Sequence, residues 1–263
     1  MLHFTRKGSS PQKIVFIHGS SNAMNYWDTA IESEWLSDYE RIAIDLPGHG
    51  MSSKSNFPDR DYSIKGMSRI VSEFLKEEIK ENYLLVGHCF GTIIIGECAD
   101  TLMGCKGVFL TNPVILGKGK LPSDILQPNP LITPYFVPTS SDEDLKVLID
   151  DATVHSDENS KQTLFDNYKK TDQKVRSVIA AAIAASEYGD EIAAIERLKV
   201  PVAIAFGKED TVTFTNYLDD SNLKVWKNEF ILVPNAGHYI QSDQPEKINQ
   251  WMAMFAQDCF QRN

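Results

Sequence analysis

No apolar run in the 263-residue chain approaches the roughly 18 residues that a membrane span needs. The stretch from Met1 to Gln12 lacks the apolar h-region of a signal peptide, so no export is expected. Cysteine is scarce. The four present (Cys89, Cys98, Cys105, Cys259) have no C-x-x-C spacing and no nearby histidine pair, which argues against zinc. Without an export signal, free thiols and a cytoplasmic location are the expectation. Positive charge is also short. The formal net charge is −10, which sets the chain against nucleic acid and anionic membranes as partners. A small neutral or apolar substrate remains open. No internal repeat or low-complexity segment is evident.

What is present is an alternation of strands and helices. Leu2 to Arg6 fits a short edge strand, and Lys13 to Ile17 is a continuous β-branched run suited to a strand covered on both faces. A helical stretch over Trp27 to Ser37 leads to another buried strand, Arg41 to Ile44. From Tyr62 to Lys80 apolar residues recur at helical spacing. Tyr83 to Val86 and Gly107 to Leu110 read as further buried strands. The alternation then stops, and from about Val114 to Arg197 no strand is expected. Prolines punctuate a loop, and helices are predicted over Asp142 to Val154, Glu158 to Lys170 and Asp172 to Tyr188. Strands resume at Val200 to Phe206 and Phe230 to Val233, with a short helix near Tyr217 to Trp226 between them. A closing helix runs from about Pro245 to Cys259, with proline at its start. The pattern calls for an α/β fold with a mostly parallel sheet covered by helices. Residues 1–113 and 196–263 would form the core and 114–195 an inserted helical cap.

The most informative stretch is Asn82 to Met103. Its strand runs through Gly87-His88-Cys89-Phe90-Gly91 straight into a helical pattern. Such a passage needs a tight, strained turn with small neighbours, which Gly87 and Gly91 supply. Cys89 is then left at the tip of the strand, over the N-terminus of the next helix. This is the G-x-S-x-G nucleophile elbow with sulfur in place of oxygen. Asp210 and His238 also follow predicted strands, at the ends where open α/β sheets gather functional groups. The order nucleophile, acid, histidine, together with His18-Gly19, Asp45-x-x-Gly48-x-Gly50-x-Ser52, Gly207-x-x-Asp210-x-Val212 and Gly237-His238, resembles the α/β-hydrolase fold superfamily. These landmarks cover nearly all of the chain except the cap.

That resemblance implies a cofactor-free hydrolase without a metal. Cys89 would attack as a thiolate, His238 would act as general base, and Asp210 would orient the ring. The oxyanion would be met by the main-chain N–H groups of Ser20 and Phe90. The substrate would be a small carboxylic ester, lactone or thioester. Acyl transfer, and a catalytically weak ligand-binding sensor of the same fold, stay open. Serine is the usual family residue. A Cys-Asp-His set resembles the dienelactone hydrolases, but the flanking segments do not single out that group. A natural cysteine enzyme, a serine enzyme altered to trap an intermediate and an impaired relative all fit. Blander roles are expected elsewhere: Cys98, Cys105 and Cys259 as core thiols, His49 and His88 as loop or packing residues, and His18 bonded within its own loop. Asp45 reads as a turn-former. Glu209 is the local competitor to Asp210, while Asn112 cannot serve as the acid. Among Tyr135, Phe136, Phe165 and Tyr168, some are expected to line an acyl pocket and the rest to pack.

Overall fold

The computed structural model describes residues 2–261, leaving Met1, Arg262 and Asn263 of the expected core outside the described residues. Seven strands form one sheet: β1 (Phe4–Lys7), β2 (Lys13–Ile17), β3 (Glu40–Ile44), β4 (Tyr83–His88), β5 (Cys105–Thr111), β6 (Val202–Gly207) and β7 (Ile231–Val233). Their order across the sheet is β1-β3-β2-β4-β5-β6-β7. Only the edge pair β1–β3 is antiparallel; the other neighbours run parallel. Continuous apolar runs are what such strands require, because helices cover both faces. In β2, Val15 and Ile17 enter one buried cluster while Ile14 and Phe16 enter the other, so successive side chains feed opposite layers. Each of the four is fully buried, worth about 1.5–3 kcal/mol per side chain relative to exposure.

The helices are α1 (Asp28–Ile31), α2 (Pro58–Asp61), α3 (Ile64–Phe74), α4 (Phe90–Cys98), α5 (Pro122–Ile125), α6 (Asp142–Ala152), α7 (Glu158–Lys170), α8 (Gln173–Ala184), α9 (Glu191–Glu196), α10 (Ile240–Asp243) and α11 (Pro245–Gln261). Between β5 and β6 the described chain contains no strand, as its polarity pattern predicts, and carries α5 to α9. Helices α6, α7 and α8 start at Ser141, Asp157 and Asp172, whose side chains each accept a main-chain N–H of the first turn.

Three expectations need correction. The helix foreseen over Trp27 to Ser37 is broken into the 3₁₀ turn Met24–Trp27, α1 and a second 3₁₀ turn, Glu34–Leu36. Ser33 takes an extended conformation between them (φ −64°, ψ 129°). No helix forms over Tyr217 to Trp226. The run Asp219-Asp220-Ser221-Asn222 is made of residues that bond their own backbone in turns, and Ser221 Oγ donates to the Leu218 carbonyl. The third predicted helix of the insertion stops at Ala184 rather than Tyr188, because Ser186 turns to φ 55°.

Candidate active site

Cys89 stands where β4 meets α4, with φ 48° and ψ −119°, a conformation a side chain adopts only under constraint. The constraint is close packing. A Cβ on Gly91 would lie 2.6 Å from the Ile17 carbonyl oxygen, and one on Gly87 would lie 2.7 Å from Ile95 Cδ1. At Gly91 the obstacle is backbone, so no other residue fits there without moving the chain; at Gly87 the Ile95 side chain would have to turn aside and the Gly91 backbone to give slightly. The Cys89 N–H donates to the Thr111 carbonyl of β5, so the corner is also tied sideways. Cys89 is half-buried, whereas Cys98, Cys105 and Cys259 are buried in the core.

His238 follows β7 and is 1% exposed. Its Nδ1 lies 3.0 Å from Asp210 Oδ2 and 3.2 Å from Oδ1. Its Nε2 is buried and makes no conventional hydrogen bond among the described residues. Burial works against charge on the ring, but the Asp210 carboxylate and the neighbouring Cys89 sulfur outweigh it and push the pKa up to about 10. Asp210 is also penalised by burial, yet His238, Thr213 and Asn112 hold its carboxyl down at about 2. Asn112 Nδ2 donates to Oδ2 at 2.7 Å and Thr213 Oγ1 at 2.5 Å; the N–H groups of Val212 and Thr213 donate to Oδ1. Five donors, counting the ring, leave that carboxylate a single orientation. Glu209 is exposed and accepts the Ala236 N–H, away from the imidazole.

The loop after β2 passes beside the thiol. A Cβ on Gly19 would come 3.1 Å from Cys89 Cβ. Two neutral histidines shape this loop. His18 Nδ1 donates to the Gly19 carbonyl at 2.7 Å and its Nε2 accepts the Leu46 N–H at 3.0 Å. His49 Nδ1 donates to the Pro47 carbonyl and Nε2 accepts the Ser21 N–H. Burial holds both below the usual histidine range, which keeps one nitrogen of each free to accept. Neither Ser20 N–H nor Phe90 N–H is engaged by an acceptor among the described residues. Asp45 is a turn-former: its carboxylate accepts the N–H groups of Met24 and Met51. His88 packs between the rings of Tyr26 and His238.

A cavity opens at Cys89. Ser20, Phe90, Ile93 and Val212 form part of its wall, and Ile125, Tyr135, Phe136, Ile179 and Ile183 form the side contributed by the segment between β5 and β6. The lining is almost wholly apolar. Of the four aromatics singled out in the sequence, Tyr135 and Phe136 line this cavity, whereas Tyr168 and Phe165 pack elsewhere, Tyr168 beneath the Arg176 guanidinium at 4.0 Å. Sequence reasoning missed Asn112 and Thr213 as partners of Asp210. It also missed Asp243, whose Oδ2 accepts the Gly237 N–H beside His238. Thr213, three residues after Asp210, carried a local signal of a side chain closing a turn; Asn112, and Asp243 in its bonds to residues 154–156, reach across distances no local pattern reports.

Residues 14–251 match the alpha/beta hydrolase family. The dihydrolipoyllysine-residue acetyltransferase component of the acetoin cleaving system of Cupriavidus necator is 28% identical over 183 residues, covering 68% of this chain and 46% of that protein. Esterase Rv0045c of Mycobacterium tuberculosis is 31% identical over 102 residues, covering 38% of this chain and 33% of that protein. The chain spans about half the length of such curated relatives, or less. Among solved structures, a mutant of the N-acyl homoserine lactonase AidH complexed with N-hexanoyl homoserine lactone superposes with a TM-score of 0.91 at 20% identity, covering 100% of this chain and 96% of that one. With the family match running over nearly the whole sheet, the chain belongs to the alpha/beta hydrolase family.

Proposed function

We propose that this chain hydrolyses a small carboxylic ester, lactone or thioester through an acyl-enzyme on Cys89. One observation carries the reading: a thiol on a constrained backbone corner faces an apolar cavity beside a buried imidazole whose other nitrogen is held by a carboxylate. His238 takes the thiol proton, and the sulfur attacks the acyl carbon while the carbonyl electron pair moves onto oxygen. The N–H groups of Ser20 and Phe90 receive that oxyanion; losing one such donor typically removes about 3–4 kcal/mol of transition-state stabilisation. Collapse breaks the bond from acyl carbon to the leaving heteroatom, which takes the imidazolium proton. Water, deprotonated by His238, then attacks the thioester, releasing the acid and restoring the thiol. Asp210 fixes the ring and stabilises its charge throughout. The segment over residues 114–195 serves as the cap that supplies one wall of the acyl cavity. The names of an esterase and a lactonase among the similar proteins fit the same class of bond.

Incubation with p-nitrophenyl butyrate is expected to release a burst of nitrophenol and to add the butyryl mass to Cys89 in the intact protein. Cys89→Ala should abolish both; full turnover in that variant would refute the assignment. Ligand-dependent thermal stabilisation without multiple turnover would instead mark a binding sensor. A product partition that changes when an amine or thiol acceptor is added would mark acyl transfer.

A further inference from the structure

The cavity beside Cys89 has a polar feature, a pair of tyrosine hydroxyls, that the proposed reaction leaves unused. Tyr135, at the end of the 3₁₀ turn Pro130–Tyr135, lines it, and its hydroxyl lies 2.5 Å from the hydroxyl of Tyr239. Tyr239 directly follows His238, with ring centroids 5.7 Å apart. A phenol hydroxyl has one proton to donate and lone pairs to accept. The pair therefore holds two protons for one mutual hydrogen bond. Whichever oxygen donates, the accepting hydroxyl keeps a proton that no acceptor among the described residues receives. Burial raises both phenols above the ordinary tyrosine range, so both protons stay in place at neutral pH. Tyr135 lines the cavity and Tyr239 does not, so only with Tyr239 donating to Tyr135 does the spare proton sit on the residue that a bound acceptor can reach. A donor that is itself accepting a hydrogen bond is strengthened by polarisation.

We propose that Tyr135, positioned by Tyr239, donates a hydrogen bond to an oxygen acceptor on the leaving group of the substrate. This rests on the acyl-enzyme reading, which places the leaving group at the imidazole that must protonate it, and the tyrosine pair stands at that end of the cavity. The substrate class narrows to an ester or lactone with an apolar acyl part and a carbonyl or amide oxygen on its alcohol part. An alcohol part made only of hydrocarbon would leave the buried donor unmatched.

The test compares 2-amino-2-oxoethyl butyrate with 2-methylallyl butyrate, which has nearly the same shape but no acceptor oxygen on the alcohol. The ratio of their kcat/KM values in the parent, divided by that in the variant, cancels the difference in intrinsic reactivity. Tyr135→Phe is expected to lower the preference for the acceptor ester about tenfold, the typical worth of one hydrogen bond. Tyr239→Phe, which removes the positioning partner, should lower it by a smaller factor and carries the test if Tyr135→Phe loses its cooperative melt. Calorimetric binding of the two intact esters to Cys89→Ala, with and without Tyr135→Phe, should give the same ratio. That arm needs no turnover, so it separates failure of this inference from failure of the acyl-enzyme. An undiminished preference, or equal losses on both esters, overturns the proposal.

Discussion

Asp243 is the side chain whose replacement tests most directly how the site is held. It is 5% exposed at the end of α10. Its Oδ1 accepts from Val154 N–H (3.0 Å), His155 N–H (2.9 Å) and Ser156 Oγ (2.6 Å), and its Oδ2 accepts from the Gly237 N–H at 2.8 Å. Asparagine has one oxygen for these two sets. With that oxygen facing residues 154–156, its NH₂ is pressed against the buried Gly237 N–H, and two donors meet without an acceptor. An unmatched buried donor costs about 1–3 kcal/mol. The bonds that remain lose their charge assistance, roughly half their strength. Val154 and His155 are exposed, so water recovers part of that loss. Asp243→Asn should therefore cost about 2–4 kcal/mol, which for a chain of this length lowers Tm by about 5–12 °C. Gly237 precedes His238, and misplacing a reacting group by 1 Å can cost about 10²-fold in rate. The assays are a melt followed by circular dichroism and the kinetics of p-nitrophenyl butyrate hydrolysis, where kcat should fall far more than KM rises. A melting temperature and kcat equal to the parent's would refute the argument that this carboxylate joins the histidine loop to the insertion.

Glu191 is 1% exposed; Oε2 accepts the Leu116 N–H, while Oε1 has no partner among the described residues. Burial, then Glu97, pushes its pKa from 4.5 up to about 9. The folded state thus keeps a proton that the unfolded chain gives up, and stability falls as pH rises from 4.5 through 9. Glu191→Gln should remove that slope and gain on the parent at pH 9 relative to pH 6 in urea unfolding; parallel declines would count against it. Ile183 lines the cavity and is half-buried, so Ile183→Trp should shorten the acyl chain that fits. Excluding two methylenes, at about 0.8 kcal/mol each, should cost p-nitrophenyl octanoate about tenfold in kcat/KM while the acetate ester is spared; equal effects on both esters would place the acyl chain elsewhere.

Much of this was legible because the signals are local. A strand buried on both faces must be apolar throughout, and Lys13–Ile17 needs nothing further to be recognised. The corner at Cys89 is written in two glycines whose Cβ positions are occupied by neighbouring atoms. His18 bonding within its own loop and Asp45 closing a turn are short-range as well. The less legible features depend on partners distant in the chain. Asn112 reaches Asp210 across 98 positions, and Arg176 reaches Ser21 across 155. The region over Tyr217 to Trp226 misled for the opposite reason: a helix was expected between two strands, but the polar run Asp219-Asp220-Ser221-Asn222 satisfies the backbone in turns.

Cys89 and the groups beside it are held by different means. Cys89 is fixed chiefly by the sheet and α4, through packing around Gly87 and Gly91. Asp210, His238 and the loop beside the thiol lie on irregular chain after strands, which by itself is the most mobile part of such a fold. Each is tied to the segment between β5 and β6. Gln127 donates to the Asp210 carbonyl, the His238 N–H donates to the Ala152 carbonyl, Arg176 donates to Ser21 Oγ, and the Asp172 N–H donates to the Gly48 carbonyl. Singly these bonds add only about 0.5–1.5 kcal/mol each. Spread over four loops, they act less on global stability than on relative position, because local opening of any one loop must break its own tie first. The same segment that walls the cavity therefore also ties down the loops that carry Asp210 and His238, so the shape of the cavity and the placement of the groups beside Cys89 rest on one set of contacts.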